Sequence, residues 1–226
     1  MDWLTPDWTA LTREFVILLV VIDPVGTIPV YLYAVAHVPT HLHRRFALRA
    51  VAISALVLLL FLVAGQVVLE TLGLRLGSFQ IAGGIVLFLF ALTMIFGDSK
   101  PEREIAAAEG KPERDPLSGA VFPLAMPSIA SPGAMLAIVI LTENSANSPT
   151  EQAVTAMLVV LVLVFTLVFL LVAGSIHRLI GDTGASVISR VMGIVLATIA
   201  VDAVLGGFDV LGILDMVPPP VGRALK

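Results

Sequence analysis

The sequence contains no cysteine and few charged side chains. The absence of cysteine excludes disulfide bonds, thiolate metal sites and thiol redox chemistry. Only 13% of the 226 residues are charged, against about 25% in an average soluble chain, and the mean hydropathy is +1.02. Four stretches hold no charge at all: residues 50–69, 76–97, 116–142 and 152–176. Each is long enough for an apolar helix that crosses a bilayer, so the sequence predicts a polytopic membrane protein.

Other absences narrow the class of function. No run of Lys or Arg suggests a nucleic-acid partner, and no basic segment precedes the first apolar run, so we expect no cleaved signal peptide. Trp3 and Trp8 are instead predicted to anchor the first helix at an interface. The four histidines fall in predicted loops or at interfaces, and the cluster of His37, His41 and His43 beside two arginines is more typical of an interface than of a metal site. We therefore expect no enzyme activity, no cofactor and no metal site.

Two less pure apolar stretches complete the predicted helices. Residues 15–36 include Asp23, and residues 187–208 include Arg190 near their start and Asp202 near their end. The predicted fold class is therefore all-α, a polytopic membrane protein of six transmembrane helices. Asp202 lies close to the end of its stretch, so its carboxylate is at least as well explained by reaching toward the interface as by function.

The two halves of the sequence resemble each other at a constant offset. LVAGQVVLETLGLRLGSFQIAGGIVL, residues 62–87, aligns without a gap on LVAGSIHRLIGDTGASVISRVMGIVL, residues 171–196. The glycines that the two segments share keep the same separation, since Gly65 aligns with Gly174 and Gly84 with Gly193. Upstream, DPVG at Asp23 pairs with SPGA at Ser131, at almost the same offset.

This repeat predicts the organisation of the chain. Three helices per half is an odd number, so the second copy must enter the membrane from the opposite side, which makes the repeat an inverted one. We expect a first three-helix repeat at residues 1–97, a cytoplasmic linker at 98–118 and a second three-helix repeat at 119–226.

The first helix of each predicted repeat contains residues that interrupt a helix. Proline removes a backbone donor and clashes with the preceding turn, and free backbone groups at membrane depth must face protein or water. Interrupted helices at matching places in two inverted halves indicate a transport site, where free N–H groups attract anions and free carbonyls attract cations. We expect such N–H groups around residues 26–27 and 133–134. The alternative is that the prolines only kink two packed helices. The candidate substrate-binding residues are Asp23, Pro24, Gly26, Thr27, Pro127, Ser128, Ser131, Pro132 and Gly133.

Asp23 is the candidate that carries charge. An acid at the centre of a membrane helix is unfavourable by about 2.5–3.5 kcal/mol on insertion scales, which favours a functional role. It could bind a substrate ammonium, bind Na⁺ or carry a coupled proton. Alternatively, it caps the second half-helix through the N–H groups of Gly26 or Thr27, and the two roles are compatible. For Ser128 and Ser131, the structural alternative is close helix packing.

Four segments carry a resemblance to a known family. VIDPVGTIPVYL, IAGGIVLF, PLAMPSIASPGAM and ISRVMGI resemble the signatures of the MarC family, over nearly the whole chain apart from the linker and both ends. The resemblance implies six helices in a bacterial or archaeal plasma membrane, and some members are credited with transport of small neutral amino acids. Ser131 departs from the pattern, in which a glycine is usual. The residues that match the two interrupted motifs are Asp23, Pro24, Gly26 and Pro29, and Pro123, Pro127, Ser128, Pro132 and Gly133.

These observations favour a secondary transporter of a small solute, such as a neutral amino acid or a similar zwitterion, bound at mid-membrane between the two interrupted helices. The alternative is an ion or metal channel or permease that uses the same interruptions. The expected partners are the lipid bilayer and a small-molecule substrate, and no nucleic acid. A coupling proton or Na⁺, and assembly into a homo-oligomer, are left open.

The distribution of basic residues predicts the orientation. Nine of the 13 Lys and Arg residues lie in the segments between helices one and two, three and four, and five and six, and the other four lie on the opposite side. Basic loops face the cytoplasm, so both termini should lie outside.

Single cysteines test this orientation, because the chain has none of its own. We expect a cysteine near either terminus or at residues 69–75 to react with a membrane-impermeant thiol reagent in intact cells. A cysteine at residues 100–114 should react only after the cells are broken. The reverse pattern would show that the orientation is wrong.

Overall fold

The computed structural model describes residues 8–73, 75–96, 105, 117–142 and 149–213. Most of the predicted linker at 98–118 and the end of the chain after residue 213 lie outside the described residues. All regular secondary structure in the described parts is helical, as predicted from the composition. The α-helices are α1 (Trp8–Ile22), α2 (Thr27–Ala34), α3 (His43–Leu72), α4 (Leu76–Phe96), α5 (Pro132–Leu141), α6 (Pro149–Leu171) and α7 (Ala173–Val210).

Four stretches are long and apolar enough to cross a membrane, and they lie mainly in α3, α4, α6 and α7: Thr40–Gly65, Gly77–Phe96, Pro149–Leu171 and Ser186–Val210. Two bent pairs bring the number to six if each pair is one span. Trp8–Ile22 and Thr27–Ala34 meet at 41°, and Ser118–Ile129 and Pro132–Leu141 meet at 52°. The six predicted stretches correspond to these segments. The second of them differs most from its prediction, because it begins at Thr40 and not at residue 50.

The first bend follows from Pro24. Asp23 still donates its N–H to Leu19 O at 3.0 Å, but Pro24 has no N–H with which to continue α1. Asp23 adopts φ +52°, a left-handed conformation that Asp tolerates better than most residues. The chain then re-enters a helix, since Thr27 N–H donates to Asp23 O at 3.1 Å. Pro29 lies in the first turn of α2, where a helix can lose a donor without cost, so it does not bend the chain.

The second bend lies in the irregular π-helical segment Val121–Ile129 that precedes α5. Phe122 and Met126 are extended, each directly before a proline, because proline disfavours helical conformation in the preceding residue. Ser131 is also extended, and Pro132 then occupies the start of α5, a position suited to its fixed φ and missing donor. Fully buried side chains surround both bends, among them Ile22, Ile28, Leu124 and Ile129.

Glycines bring α4 and α7 into the most extensive helix–helix packing of the described chain. A Cβ on Gly84 would lie 2.7 Å from Ala200 O, and a Cβ on Gly207 would lie 2.7 Å from Gly77 O. The backbones of the two helices therefore approach as closely as small residues in membrane helices allow.

The contacts between α4 and α7 correspond to each other when the two halves of the sequence are aligned as above, with Gly84 on Gly193. A Cβ on Gly84 would meet Ala200 and Val204 of α7, and a Cβ on Gly193 would meet Met94, Ile95 and Ala91 of α4. The shift in numbering that aligns the two halves converts both contacts of Gly84 into two of the three contacts of Gly193. The residues exchanged are Gly84 with Gly193, Ala91 with Ala200, and Ile95 with Val204.

Replacing Gly84 tests this packing. We expect Gly84→Ala to lower the free energy of unfolding by roughly 1–3 kcal/mol, because the new methyl group would overlap the α7 backbone. Gly206→Ala is the matched control, since a Cβ there has nothing within 4 Å, and alanine favours a helix by up to about 1 kcal/mol. Thermal unfolding of the purified protein in detergent measures both. Equal midpoints for the two variants would contradict the close approach.

Candidate functional site

Asp23 lies at the first bend with its side chain 2% exposed. Its Oδ1 accepts the Gly26 N–H at 2.9 Å, and its Oδ2 accepts the hydroxyl of Ser189 in α7 at 3.1 Å. Thr27 Oγ1 donates to the Asp23 carbonyl at 3.0 Å. Asp23 thus caps the start of the next helix, as one of the two sequence interpretations expected, and it also links that bend to the sixth predicted span.

No basic side chain of the described residues pairs with Asp23. An ion pair within the described parts joins Arg13 and Asp202, whose side chains are about 60% exposed. An ionised carboxylate has about four lone-pair positions, and two of those on Asp23 are used. Because a buried charge without a counter-charge is strongly unfavourable, this carboxylate is a candidate to bind a positively charged group.

Gly26 permits the contact between Asp23 and Ser189. A Cβ at position 26 would overlap both Asp23 Oδ2 and Ser189 Oγ, closer than any nonbonded contact allows, and would lie 2.8 Å from Asp23 Cγ. The glycine therefore does more than relax the backbone between two prolines. It leaves the space in which the carboxylate and the hydroxyl meet.

The two bends lie side by side. Ser128, fully buried in the second bend, donates its hydroxyl to Thr27 Oγ1 at 3.3 Å across 101 residues of sequence. Ser54 of α3 donates to Ala50 O at 2.9 Å and also to Ala125 O at 3.4 Å, a carbonyl of the second bend. Neighbouring elements thus add hydrogen bonds to the two bends, since Ala125 O also accepts the Ala130 N–H at 2.9 Å within its own bend.

The second bend repeats the capping of the first. Ser131 Oγ accepts the Ala134 N–H at 3.1 Å, three residues on, as Asp23 does for Gly26. Gly133 is buried, and a Cβ there would lie 3.2 Å from the Phe90 ring of α4.

The predicted site residues are therefore only partly brought together. Asp23, Thr27 and Ser128 form one connected group, and Pro24 and Gly26 are buried beside it. The Ser131 hydroxyl caps α5, the helix that follows it. Pro127 is half-buried, and Pro132 is exposed. The expectation of free N–H groups at Gly26, Thr27 and Ala134 is wrong, because all three donate to the preceding turn.

The chain is similar to known membrane proteins over most of its length. The model of the MarC family integral membrane proteins matches residues 8–211. The chain belongs to the MarC family. A UPF0056 membrane protein of Archaeoglobus fulgidus is 33% identical over 198 residues, covering 86% of this chain and 90% of that protein. The UPF0056 inner membrane protein YhgN of Escherichia coli K12 is 31% identical over 192 residues, 85% of this chain and 92% of that protein. No solved structure matches the chain.

Membership of the MarC family makes the chain a multi-pass integral membrane protein of a family found in bacteria and archaea. The matched region contains both bends and Ser189. Sequence reasoning missed Ser189, although it lies in the ISRVMGI segment that carried the resemblance. A hydroxyl directly before Arg190, near the start of the last span, was the available signal, but nothing local connects it to Asp23.

Substitution of Gly26 tests this arrangement. We expect Gly26→Ala to lower the free energy of unfolding by roughly 1–3 kcal/mol, because the methyl group would displace Asp23 or Ser189. Gly174→Ala is the control, as a Cβ there meets nothing within 4 Å. In a double-mutant cycle with Ser189→Ala, the two costs should not add, since Ser189→Ala removes one of the overlapping atoms. Additive costs within about 0.5 kcal/mol would contradict the contact.

Proposed function

We propose that this MarC protein is a secondary transporter of a small zwitterion, such as a neutral amino acid, bound at mid-membrane between the two bends. The observation that carries the proposal is the Asp23 carboxylate. It is buried, held by two donors, free of a basic partner in the described chain, and placed where the first helix is interrupted.

The site offers partners for both charges of a zwitterion. The ammonium would take the unused lone pairs of Asp23. The substrate carboxylate would accept from the Ser128 hydroxyl, whose 3.3 Å bond to Thr27 is long enough to be exchanged, and from the start of α5 at Gly133. Since Asp23, Thr27, Ser128 and Ser189 are at most 2% exposed, substrate access requires the helices around them to separate.

An inverted repeat would supply such a movement, and several contacts support it. The α4–α7 contacts exchange at the offset that aligns the two halves of the sequence. The caps formed by Asp23 and Ser131 exchange at almost the same offset, with Gly26 corresponding to Ala134. Under this proposal each bent pair is one interrupted span. Two such spans from opposite halves then enclose the site, as in transporters built from inverted repeats.

We place the protein in the inner membrane of its cell, with both termini outside. The name of the E. coli relative YhgN states an inner membrane, and the basic residues of this chain favour the cytoplasmic side for the linker.

Variants of Asp23 test the proposal in proteoliposomes. Counterflow should first be screened across amino acids and simple cations to find a substrate. Asp23→Asn should then raise the apparent substrate constant roughly ten- to a hundredfold, the effect of losing a hydrogen bond to a charged group, while the unfolding midpoint changes little. Asp209→Asn, which removes an exposed carboxylate of α7, is the control and should transport normally.

Three other results would each point elsewhere. Normal transport by Asp23→Asn, together with a less stable Asp23→Ala, would leave Asp23 as a helix cap only. Loss of pH dependence with substrate exchange retained would make it a proton carrier. A cation flux that no solute stimulates, and that Asp23→Asn abolishes, would favour the channel or permease.

A further inference from the structure

A groove lies between α1 and α7, and Asp23 is not among its lining residues. Its volume is about 630 Å³. Trp8 and Arg13 line one part of it, and Val16, Ile17, Val195 and Ile199 line another. Trp8 and Ile17 are nine residues apart on α1, so the groove extends over about 13 Å along the helix axis.

Polarity changes along the groove. The part near the start of α1 carries a guanidinium and an indole, the side chain that membrane proteins place at the level of lipid headgroups. The deeper part is aliphatic. A molecule that fills the whole groove must therefore combine a polar head with an apolar tail.

Arg13 is the charged residue that lines the groove, and Asp202 lies beside the groove as the partner of Arg13. Arg13 donates through Nη2 to Asp202 Oδ2 across the α1–α7 boundary. A guanidinium has five N–H donors and a carboxylate has two oxygens, so both groups keep bonding capacity while they remain paired. A simple anion would be repelled by Asp202, and a simple cation by Arg13. A head that carries a negative and a positive group side by side would meet both.

The surroundings of the groove favour a lipid over a free solute. Neighbouring side chains Val16, Ile194 and Val201 are 42%, 56% and 45% exposed, a surface that acyl chains cover in a bilayer. The groove is also far larger than a neutral amino acid requires, while its volume lies within the range of sites for larger ligands.

We infer that this groove binds a phospholipid whose headgroup carries a primary ammonium, of the phosphatidylethanolamine class. The phosphate accepts from Arg13, the ammonium donates to Asp202, and one acyl chain lies along Val16, Ile17, Val195 and Ile199. A lipid held in this way bridges α1 and α7, whose deeper contact joins Asp23, directly after α1, to Ser189 of α7. The inference does not depend on the transport proposal.

Lipid titrations of the detergent-purified full chain test the site. Phosphatidylethanolamine, phosphatidylcholine and phosphatidylglycerol with identical acyl chains are compared by the thermal unfolding midpoint and by native mass spectrometry of retained lipid. Phosphatidylethanolamine should raise the midpoint by roughly 5–10 °C at a hundred times its dissociation constant. The other two should give smaller shifts, because a quaternary ammonium has no N–H and phosphatidylglycerol has no ammonium.

Variants test which group of the lipid Asp202 and Arg13 each bind. Asp202→Asn should abolish the preference for phosphatidylethanolamine over phosphatidylglycerol, while the control Asp209→Asn keeps it. Arg13→Gln should reduce the response to all three lipids, while the control Arg75→Gln keeps it. Native mass spectrometry shows retained lipid on folded protein, so a less stable variant can still be judged.

Several results would overturn the inference. Equal shifts by all three lipids in the unchanged protein would indicate unspecific annular lipid. An Asp202→Asn variant that keeps the preference for phosphatidylethanolamine would show that Asp202 does not bind the headgroup. A response to free amino acids instead of lipid would make the groove a solute site. A lipid response that appears only after deletion of residues 2–7 would show that this segment occupies the groove.

Discussion

The structure depends on one constraint: a backbone polar group inside a membrane protein must find a partner within the protein, because lipid offers none. Both bends meet it with nearby polar groups. At the first, Asp23 supplies its carboxylate to Gly26 and its carbonyl to Thr27. At the second, Ser131 supplies its hydroxyl to Ala134. The bends can therefore lie among fully buried side chains.

The same constraint explains why the two bends come together. A bend that faces lipid would expose whatever the local cap leaves unused, whereas a bend that faces another bend can share donors with it. Ser128 and Thr27 share a hydrogen bond in this way, and Ser54 reaches the carbonyl of Ala125 from α3. The resulting polar region is small and enclosed. Its carboxylate is that of Asp23, to which the proposed function assigns the substrate ammonium.

Close packing with α4 constrains α7, the helix that carries Ser189. Without the approach at Gly84 and Gly207, α7 would lie farther from α4. Ser189 lies on the same helix, and its hydroxyl must stand within hydrogen-bond distance of Asp23, where Gly26 leaves the space. The glycine that precedes α2 and the glycines in α4 and α7 thus contribute to one contact. Each of these glycines leaves space that a side chain would fill, and the spacing of apolar residues along the sequence does not reveal that space.

The sequence by itself determined the medium, the helical class, the approximate spans and the family, because apolar length and motif identity are local properties. It also identified Asp23 as a candidate site residue, because an acid inside an apolar membrane helix is unfavourable. Only the tertiary structure decided which groups meet. The partners of Asp23 and Asp202 lie 166 and 189 residues away, on helices whose facing sides depend on packing. The prediction of free N–H groups at Gly26, Thr27 and Ala134 failed for a related reason. Whether Gly26 and Ala134 are free depends on the rotamers of Asp23 and Ser131, which the fold sets and the proline pattern does not.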